Sequence, residues 1–369
     1  MARHWRRQFS LPVVGVTGSN GKTTVKEMLS SIFTAAVGAD RFLATRGNLN
    51  NDIGVPLTVL RLHAGCRAAV IELGMNHPGE IATLAGIAQP TLGLVNNAQR
   101  EHQEFMVNVE AVARENGAVI SALPANGIAV FPADDPYTPL WREFAAAAGQ
   151  RKVITFGLTE EADVRCRFTS AAFGSDLQVQ HGTRTMSVKL AAAGQHSVRN
   201  ALAAIACAIG VGINLDAIKR GLEAFAPVAG RLQKKLAPNG AQLIDDTYNA
   251  NPDSVRAAID VLAQASAPRI LVLGDMGEVG SDGRKYHEEV GAYARGRGIS
   301  RLLTLGELAQ FSGSAFGAHA KHFADLDALM QALTVLATPD STVLVKGSRF
   351  MKMERVLQRL LDQPDLESH

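Results

Sequence analysis

Short apolar runs alternate along the chain with longer stretches in which apolar residues recur at helical spacing. That alternation is the mark of parallel sheets covered by helices. In the first half, "LPVVGVTG" reads as a buried strand, after which Val25, Met28, Leu29, Ile32 and Phe33 fall on one helical face. "CRAAVIELG", "PTLGLVNN", "NGIAVFPADD" and "RKVITFG" read as further strands, and the segment from Phe168 to Leu190 as an antiparallel hairpin added to them. Near "EAFAPVAGRLQKK" the pattern breaks, because Pro227, Gly230 and two lysines follow a helical stretch. A domain boundary is expected there, with one α/β domain over 11–226 and a Rossmann-like α/β domain over 227–369. "AQLIDD", "RILVLGD", "RLLTLG" and "STVLVKG" supply the strands of the second, and residues 1–10 read as a connecting segment.

Composition narrows the function classes. With 369 residues, 47% of them hydrophobic, each half can bury its own core. Lys plus Arg number 37 against 35 Asp plus Glu, a balance that argues against a nucleic-acid or membrane surface. The three cysteines, Cys66, Cys166 and Cys207, are far apart and form no C-x-x-C pattern, which fits a reducing, cytoplasmic setting. The opening "MARHWRRQF" carries no apolar signal core, and the alanine-rich run Ala201 to Ile213 is too short to span a bilayer and reads as a buried helix. Small-molecule substrates and a monomer are the expectation.

"VTGSNGKTT" carries the clearest chemistry. A strand feeding a glycine turn that opens a helix gathers backbone N–H groups and the positive end of the helix dipole at one point, a phosphate site. Lys22 would reach the terminal phosphates and Thr23 would supply a hydroxyl to Mg²⁺, while Gly18 and Gly21 let the backbone approach oxygens. Ser19, Asn20 and Thr24 complete the loop, and the expected ligand is a polyphosphate such as ATP. The strict G-x-x-x-x-G-K-[ST] pattern is not met, since Val16 stands where its first glycine belongs. The plainer reading is an ordinary strand-turn-helix with a surface lysine.

Two residues downstream would complete a metal site. Glu72 ends one strand-like run and His102 follows another, and open α/β sheets bind ligands at such strand ends. Together with Thr23 they would hold one or two divalent ions. Taken singly, a strand-end Glu is more often solvated and a lone His more often structural. In "TRGNLNNDIGVP", Asn48, Asn50 and Asn51 either make turns or hydrogen-bond a polar substrate.

"GVTGSNGKTT", "TRGNLNNDIGVPLT", "IELGMNHPGEI", "GQHSVRNALAA", "AGRLQ", "IDDTYNANPDS", "LGDMGEVG" and "VLVKGSR" occur in the order and approximate spacing of the Mur ligases, and the chain resembles that family over nearly its whole length. "DDTYNANPDS" and "LGDMGEVG" resemble the dipeptide-adding branch. The resemblance implies a phosphate-loop ATPase domain followed by the family's C-terminal domain, and an ATP- and Mg²⁺-dependent amide ligase. It would join D-alanyl-D-alanine to UDP-N-acetylmuramoyl-tripeptide through an acyl phosphate. Other amide ligases of the superfamily, such as folylpolyglutamate or cyanophycin synthetases, and an ATP-binding fragment without full ligase activity, are the alternatives.

Residue by residue, the resemblance implies a phosphate loop at Gly18 to Thr24, with metal ligands at Glu72 and His102. It implies nucleotide contacts from Asn200, Arg231, Asp246 and Asn249, which makes the ATP site interdomain. Catalysis would rest on Lys22, Glu72, His102 and Arg231. The family's usual His-Asn pair reads His196-Ser197 here. Asn251 to Ser254 also carry the signature of a helix start, with Asn as N-cap and Pro at N1. Lys346 and Arg349 of "LVKGSR" would orient the dipeptide.

Two departures stand out. Many Mur ligases carry a carbamate-modified lysine on the helix after the histidine, yet no lysine lies between Lys26 and Lys152; Glu115 or Asn116 of "VARENGAVI" would take its place. Family members also place about 80 to 100 residues before the phosphate loop, a small domain that holds the uridine end of the substrate. Here about a dozen precede it, so the chain reads as lacking that domain.

Overall fold

A computed structural model describes residues 1–101, 103–149, 151–171 and 173–362. Nine strands form the first sheet: β1 (Val13–Thr17), β2 (Phe42–Ala44), β3 (Ala68–Glu72), β4 (Leu92–Val95), β5 (Ile128–Pro132), β6 (Lys152–Gly157), β7 (Val164–Ala171), β8 (Gly174–His181) and β9 (Arg184–Leu190). Their order is β2-β3-β1-β4-β5-β6-β7-β8-β9, parallel as far as β7 and antiparallel beyond. The expected hairpin over Phe168 to Leu190 is thus part of a three-stranded meander that begins at Val164.

β1 and β3 are buried along their whole lengths, because helices cover both faces. Val14 and Val16 face a layer that holds the helices Lys22–Val37 and Gln195–Gly210, the latter containing most of the alanine-rich run. Val13 faces the opposite layer, with Val112 of the helix Val109–Ser121 and Trp141 of the helix Thr138–Ala146. Residues 1–10 are tied to this unit. The helix Ala2–Arg6 docks through Trp5 Nε1 on the Leu62 carbonyl (3.0 Å) and through the buried Arg6 guanidinium on the carbonyls of Ala88, Phe9, Leu11 and Gln89.

The second sheet contains β10 (Gln233–Leu236), β11 (Gln242–Asp246), β12 (Arg269–Gly274), β13 (Arg301–Leu305), β14 (Ala320–Phe323) and β15 (Thr342–Lys346). Its order is β10-β11-β15-β12-β13-β14, with only the edge strand β10 antiparallel. Among the described residues no helix is long and apolar enough to cross a membrane.

The topology places the site. The chain leaves β1 for β2 and β3 on one side, then returns to β4 on the other, so the carboxyl end of β1 is a point where strand order reverses. Crevices at such points bind ligands. The loop after β1 is therefore flanked by Glu72 at the end of β3 and by the residues that follow β4.

Candidate active site

A cleft of about 520 Å³ opens at that point and runs between the two sheets' carboxyl ends. Ser19 to Thr24, Asn50, Glu72, Asn200, Arg231, Asp246, Asn249 and Lys346 all line it. The structure brings together most of the residues expected from the sequence.

Backbone N–H accounting shows which amides serve a ligand. The Gly18 N–H donates to Asn116 Oδ1 (2.9 Å), the Ser19 N–H to the Asn97 carbonyl (3.2 Å) and the Asn20 N–H to Asn97 Oδ1 (2.9 Å). These three shape the loop. The helix Lys22–Val37 starts at Gly21 (φ 85°), and its first intrahelical bond runs from the Val25 N–H to the Gly21 carbonyl (2.9 Å). The N–H groups of Gly21 to Thr24 are thus the orphan donors of a helix N-terminus, positioned for an anion. Gly18 lies outside the cleft lining, contrary to a role on the phosphates; its φ of 133° and its closeness to Asn96 exclude a side chain there. Asn200 supports Gly21 from behind, its Oδ1 accepting from Asn96 Nδ2 (2.8 Å).

Lys22 Nζ donates to the Gly18 carbonyl and to the Ser19 carbonyl (3.2 Å), and lies 3.6 Å from Glu101 Oε2. Glu72 is 2% exposed, and its Oε1 accepts from Thr23 Oγ1 (3.3 Å) and Asn50 Nδ2 (2.9 Å). Glu72 Oε2 is buried with no hydrogen-bond partner among the described residues. A buried carboxylate with one bare oxygen beside a threonine hydroxyl is a donor set that a hard divalent cation takes, and it leaves room for phosphate oxygens and water. No cluster of three His, Cys, Asp or Glu forms a metal cage among the described residues, and His102 lies outside them.

The second unit reaches into this centre. Arg231 Nη2 donates to Thr23 Oγ1 (3.0 Å) while its guanidinium stacks 4.1 Å from the Tyr248 ring centroid. Asn251 caps the helix Pro252–Ala263 in a capping box with Ser254, and its Nδ2 also donates to Asn20 Oδ1 (2.9 Å). Asp246 and Lys346 are register partners at the ends of β11 and β15, joined by an ion pair at 2.5 Å. Lys346 Nζ also donates to the Asn249 carbonyl (2.8 Å). Lys346 is held by Asp246 and the Asn249 carbonyl, so a carboxylate ligand would have to compete with Asp246 for it.

Other expectations fail on geometry. Arg349 is exposed, pairs with Glu354 (3.1 Å) and lines no part of the cleft. Asn51 Oδ1 accepts from the Gly54 N–H (2.9 Å), a turn role, and Asn48 is exposed outside the cleft. Neither candidate for the carbamate position lines the cleft. Glu115 accepts the N–H groups of Gly79 and Ile81 (both 2.8 Å) at the start of the helix Glu80–Ala88, and Asn116 holds Gly18. With no lysine on the segment, turnover should be unchanged when bicarbonate and CO₂ are stripped from the assay. A tenfold fall restored by added bicarbonate would contradict this.

Two arrangements escaped sequence reasoning. Arg199 grips Asp134 with both arms (2.8 and 2.5 Å) at the rim of the cleft, and burial raises the carboxyl pKa of the adjacent Asp135. Arg100, just past β4, crosses to the second unit and binds Asp253 (2.6 Å) and Glu289 (2.8 Å); Glu289 also takes Arg256 (2.9 Å). The hydrogen bond from Arg100 holds the Glu289 carboxyl below its ordinary range. Nothing local marks Arg100, whose partners lie 153 and 189 residues away.

The Mur ligase middle-domain model matches residues 16–208, and the model described as Mur ligase, glutamate ligase domain matches residues 230–349. The chain belongs to the Mur ligase family. As a Mur ligase it is an ATP-dependent amide ligase. It is 41% identical to the UDP-N-acetylmuramoyl-tripeptide:D-alanyl-D-alanine ligase of Escherichia coli K12 over 96% of this chain and 78% of that protein. Among solved structures, MurF from Acinetobacter baumannii superposes with a TM-score of 0.92 at 34% identity, covering 98% of this chain and 79% of that one. The MurF ligase of Thermotoga maritima, solved in complex with ADP, gives 0.86 at 26% identity, covering 97% of this Mur ligase and 81% of the other chain.

Proposed function

We propose that this Mur ligase adds D-alanyl-D-alanine to UDP-N-acetylmuramoyl-tripeptide in the cytoplasm, as a monomer, with ATP and Mg²⁺. The observation that carries the reading is the meeting of Arg231 from the second unit with Thr23 of the phosphate loop, beside the bare oxygen of Glu72. In this reading the two domains join at residues 226 and 227.

In this reading the Gly21 to Thr24 amides take phosphate oxygens, and Lys22 swings from the Gly18 and Ser19 carbonyls to the β- and γ-phosphates. Mg²⁺, held by Thr23 and Glu72, would neutralise charge shared by the phosphate oxygens. A carboxylate oxygen of the tripeptide attacks the γ-phosphorus and ADP leaves. The dipeptide nitrogen then attacks the acyl carbon, the C–O bond to phosphate breaks, inorganic phosphate departs and the nitrogen gives up a proton. Arg231 stabilises the transferring phosphoryl group, and contact between the two units keeps water from the acyl phosphate. The deciding experiment is ADP release with each substrate omitted in turn, with the product weighed by mass spectrometry. Dependence on both the UDP-tripeptide and the dipeptide is expected, and turnover with either one absent, or with glutamate replacing the dipeptide, would overturn the reading.

A further inference from the structure

Among the described residues, the lysines and arginines more than nine-tenths buried are Arg6, Lys26 and Lys346. Arg6 docks the first helix and Lys346 meets Asp246. Lys26, 1% exposed, has no part in the reaction described above.

Lys26 follows Thr23 by three positions on the helix Lys22–Val37, so the two share a side of that helix. Its Nζ meets the Glu27 carboxylate and donates to the Thr45 carbonyl (3.1 Å), just past β2. Burying an ammonium costs free energy that one partly exposed carboxylate returns incompletely. What the buried end reaches is the loop that holds Glu72. The Thr45 N–H donates to the Val70 carbonyl of β3 (3.1 Å), and the Glu72 N–H donates to Thr45 Oγ1 (3.0 Å). Five residues on, Asn50 Nδ2 grips Glu72 Oε1 (2.9 Å), and the Asn50 carbonyl accepts the Gly74 N–H (2.9 Å). A Cβ at Gly74 would stand 2.8 Å from the Asn50 side chain, so this clasp needs glycine. Main chain and carboxylate of Glu72 are thus both held from one loop, and Lys26 ties that loop to the helix that carries Thr23.

Resting on the cation site proposed above, we infer that Lys26 is a positioning residue. By pinning Thr45 it sets the spacing between the Thr23 hydroxyl and the bare oxygen of Glu72, and with it the affinity of the pair for a divalent cation. The two donors sit on different elements, and a small hard cation tolerates little error in their separation.

Mn²⁺, read by electron paramagnetic resonance with ADP present, is the probe. Lys26→Met keeps the apolar stem and removes the ammonium. Its Kd for Mn²⁺ should rise roughly ten- to a hundredfold, the scale of losing a group that orients a metal ligand. Its Kd for ADP without metal should stay within about threefold, because the Gly21 to Thr24 amides are untouched. The melting temperature should move by less than about 4 °C, since an apolar chain in place of a buried charge is often neutral. Glu27→Gln, which removes the ion pair alone, should leave both constants within about twofold. Thr45→Val should weaken Mn²⁺ on the same scale as Lys26→Met, and Thr45→Ser should restore it; in the double variant Lys26→Met, Thr45→Val the losses should not multiply, because both break one chain of contacts. Wild-type Mn²⁺ affinity in Lys26→Met would overturn the inference, and so would an equal loss of ADP affinity, which marks a general disturbance of the phosphate loop. Should Lys26→Met not fold, equal Mn²⁺ affinities in Thr45→Val and Thr45→Ser would overturn it in the same way. Wild-type protein that takes up no Mn²⁺ with ADP present would sink the cation site itself, a result visible before any variant is made.

Discussion

Lys22→Ala should lower the rate of ADP formation by roughly a thousandfold or more, the scale of removing a cation from a transferring phosphoryl group. The helix N-terminus still offers the Gly21 to Thr24 amides, so nucleotide would bind, but no other cation is carried on the loop itself. Stability should change little. Lys22 gives up two loop carbonyls and a 3.6 Å contact to Glu101, while Gly18, Ser19 and Asn20 remain anchored by Asn116 and Asn97. A melting temperature within about 4 °C of wild type is expected. Lys22→Arg should not restore the rate, because a planar fork cannot occupy the place of a compact ammonium. A rate within threefold of wild type in Lys22→Ala would remove the phosphate-loop assignment.

Arg231→Ala should lower kcat by roughly a hundred- to a thousandfold while KM for ATP moves less than tenfold, since this group acts on charge that develops during transfer. Arg231→Lys should recover little of it. The guanidinium stacks on Tyr248 while a nitrogen reaches Thr23, and an ammonium cannot do both. Tyr248→Phe, which keeps the ring, should leave kcat within about threefold. Steady-state kinetics on the three variants checks the assignment, and equal losses in kcat for Arg231→Ala and Tyr248→Phe would reduce Arg231 to a packing role.

The phosphate loop was legible because its chemistry is contiguous: strand, glycine, lysine and threonine fall within a dozen residues. The fully buried strands were legible for the same reason, as unbroken apolar runs. β2 is only three residues long, and β10 reads "QKKL" because an edge strand alternates with solvent; neither leaves an apolar run to find. Long-range partners were invisible. Asn116 takes the Gly18 amide from 98 positions away, so a glycine that looked phosphate-facing is structural. Lys346 and Arg349 are three residues apart yet diverge, because β15 ends at Lys346 beside Asp246 and the next turn points Arg349 at Glu354. The reading of the first residues as a connecting segment missed that Arg6 is buried and fully engaged.

Thr23 Oγ1 gives its proton to Glu72 and takes one from Arg231. Its proton and one of its two lone pairs are therefore in use in the very arrangement that brings the two units together, and one lone pair stays open for a cation. A polyphosphate that draws Arg231 onto its own oxygens takes it from Thr23, so nucleotide binding and this contact between the units are coupled through one side chain. The apparent affinity for ATP then includes the free energy of moving that side chain. Arg100, gripping Asp253 and Glu289 across the same gap, holds the two units in the engaged state. Because those three side chains are partly wet, added salt weakens the grip. Ionic strength would in this way tune how firmly the two units are held together, through side chains outside the phosphate loop.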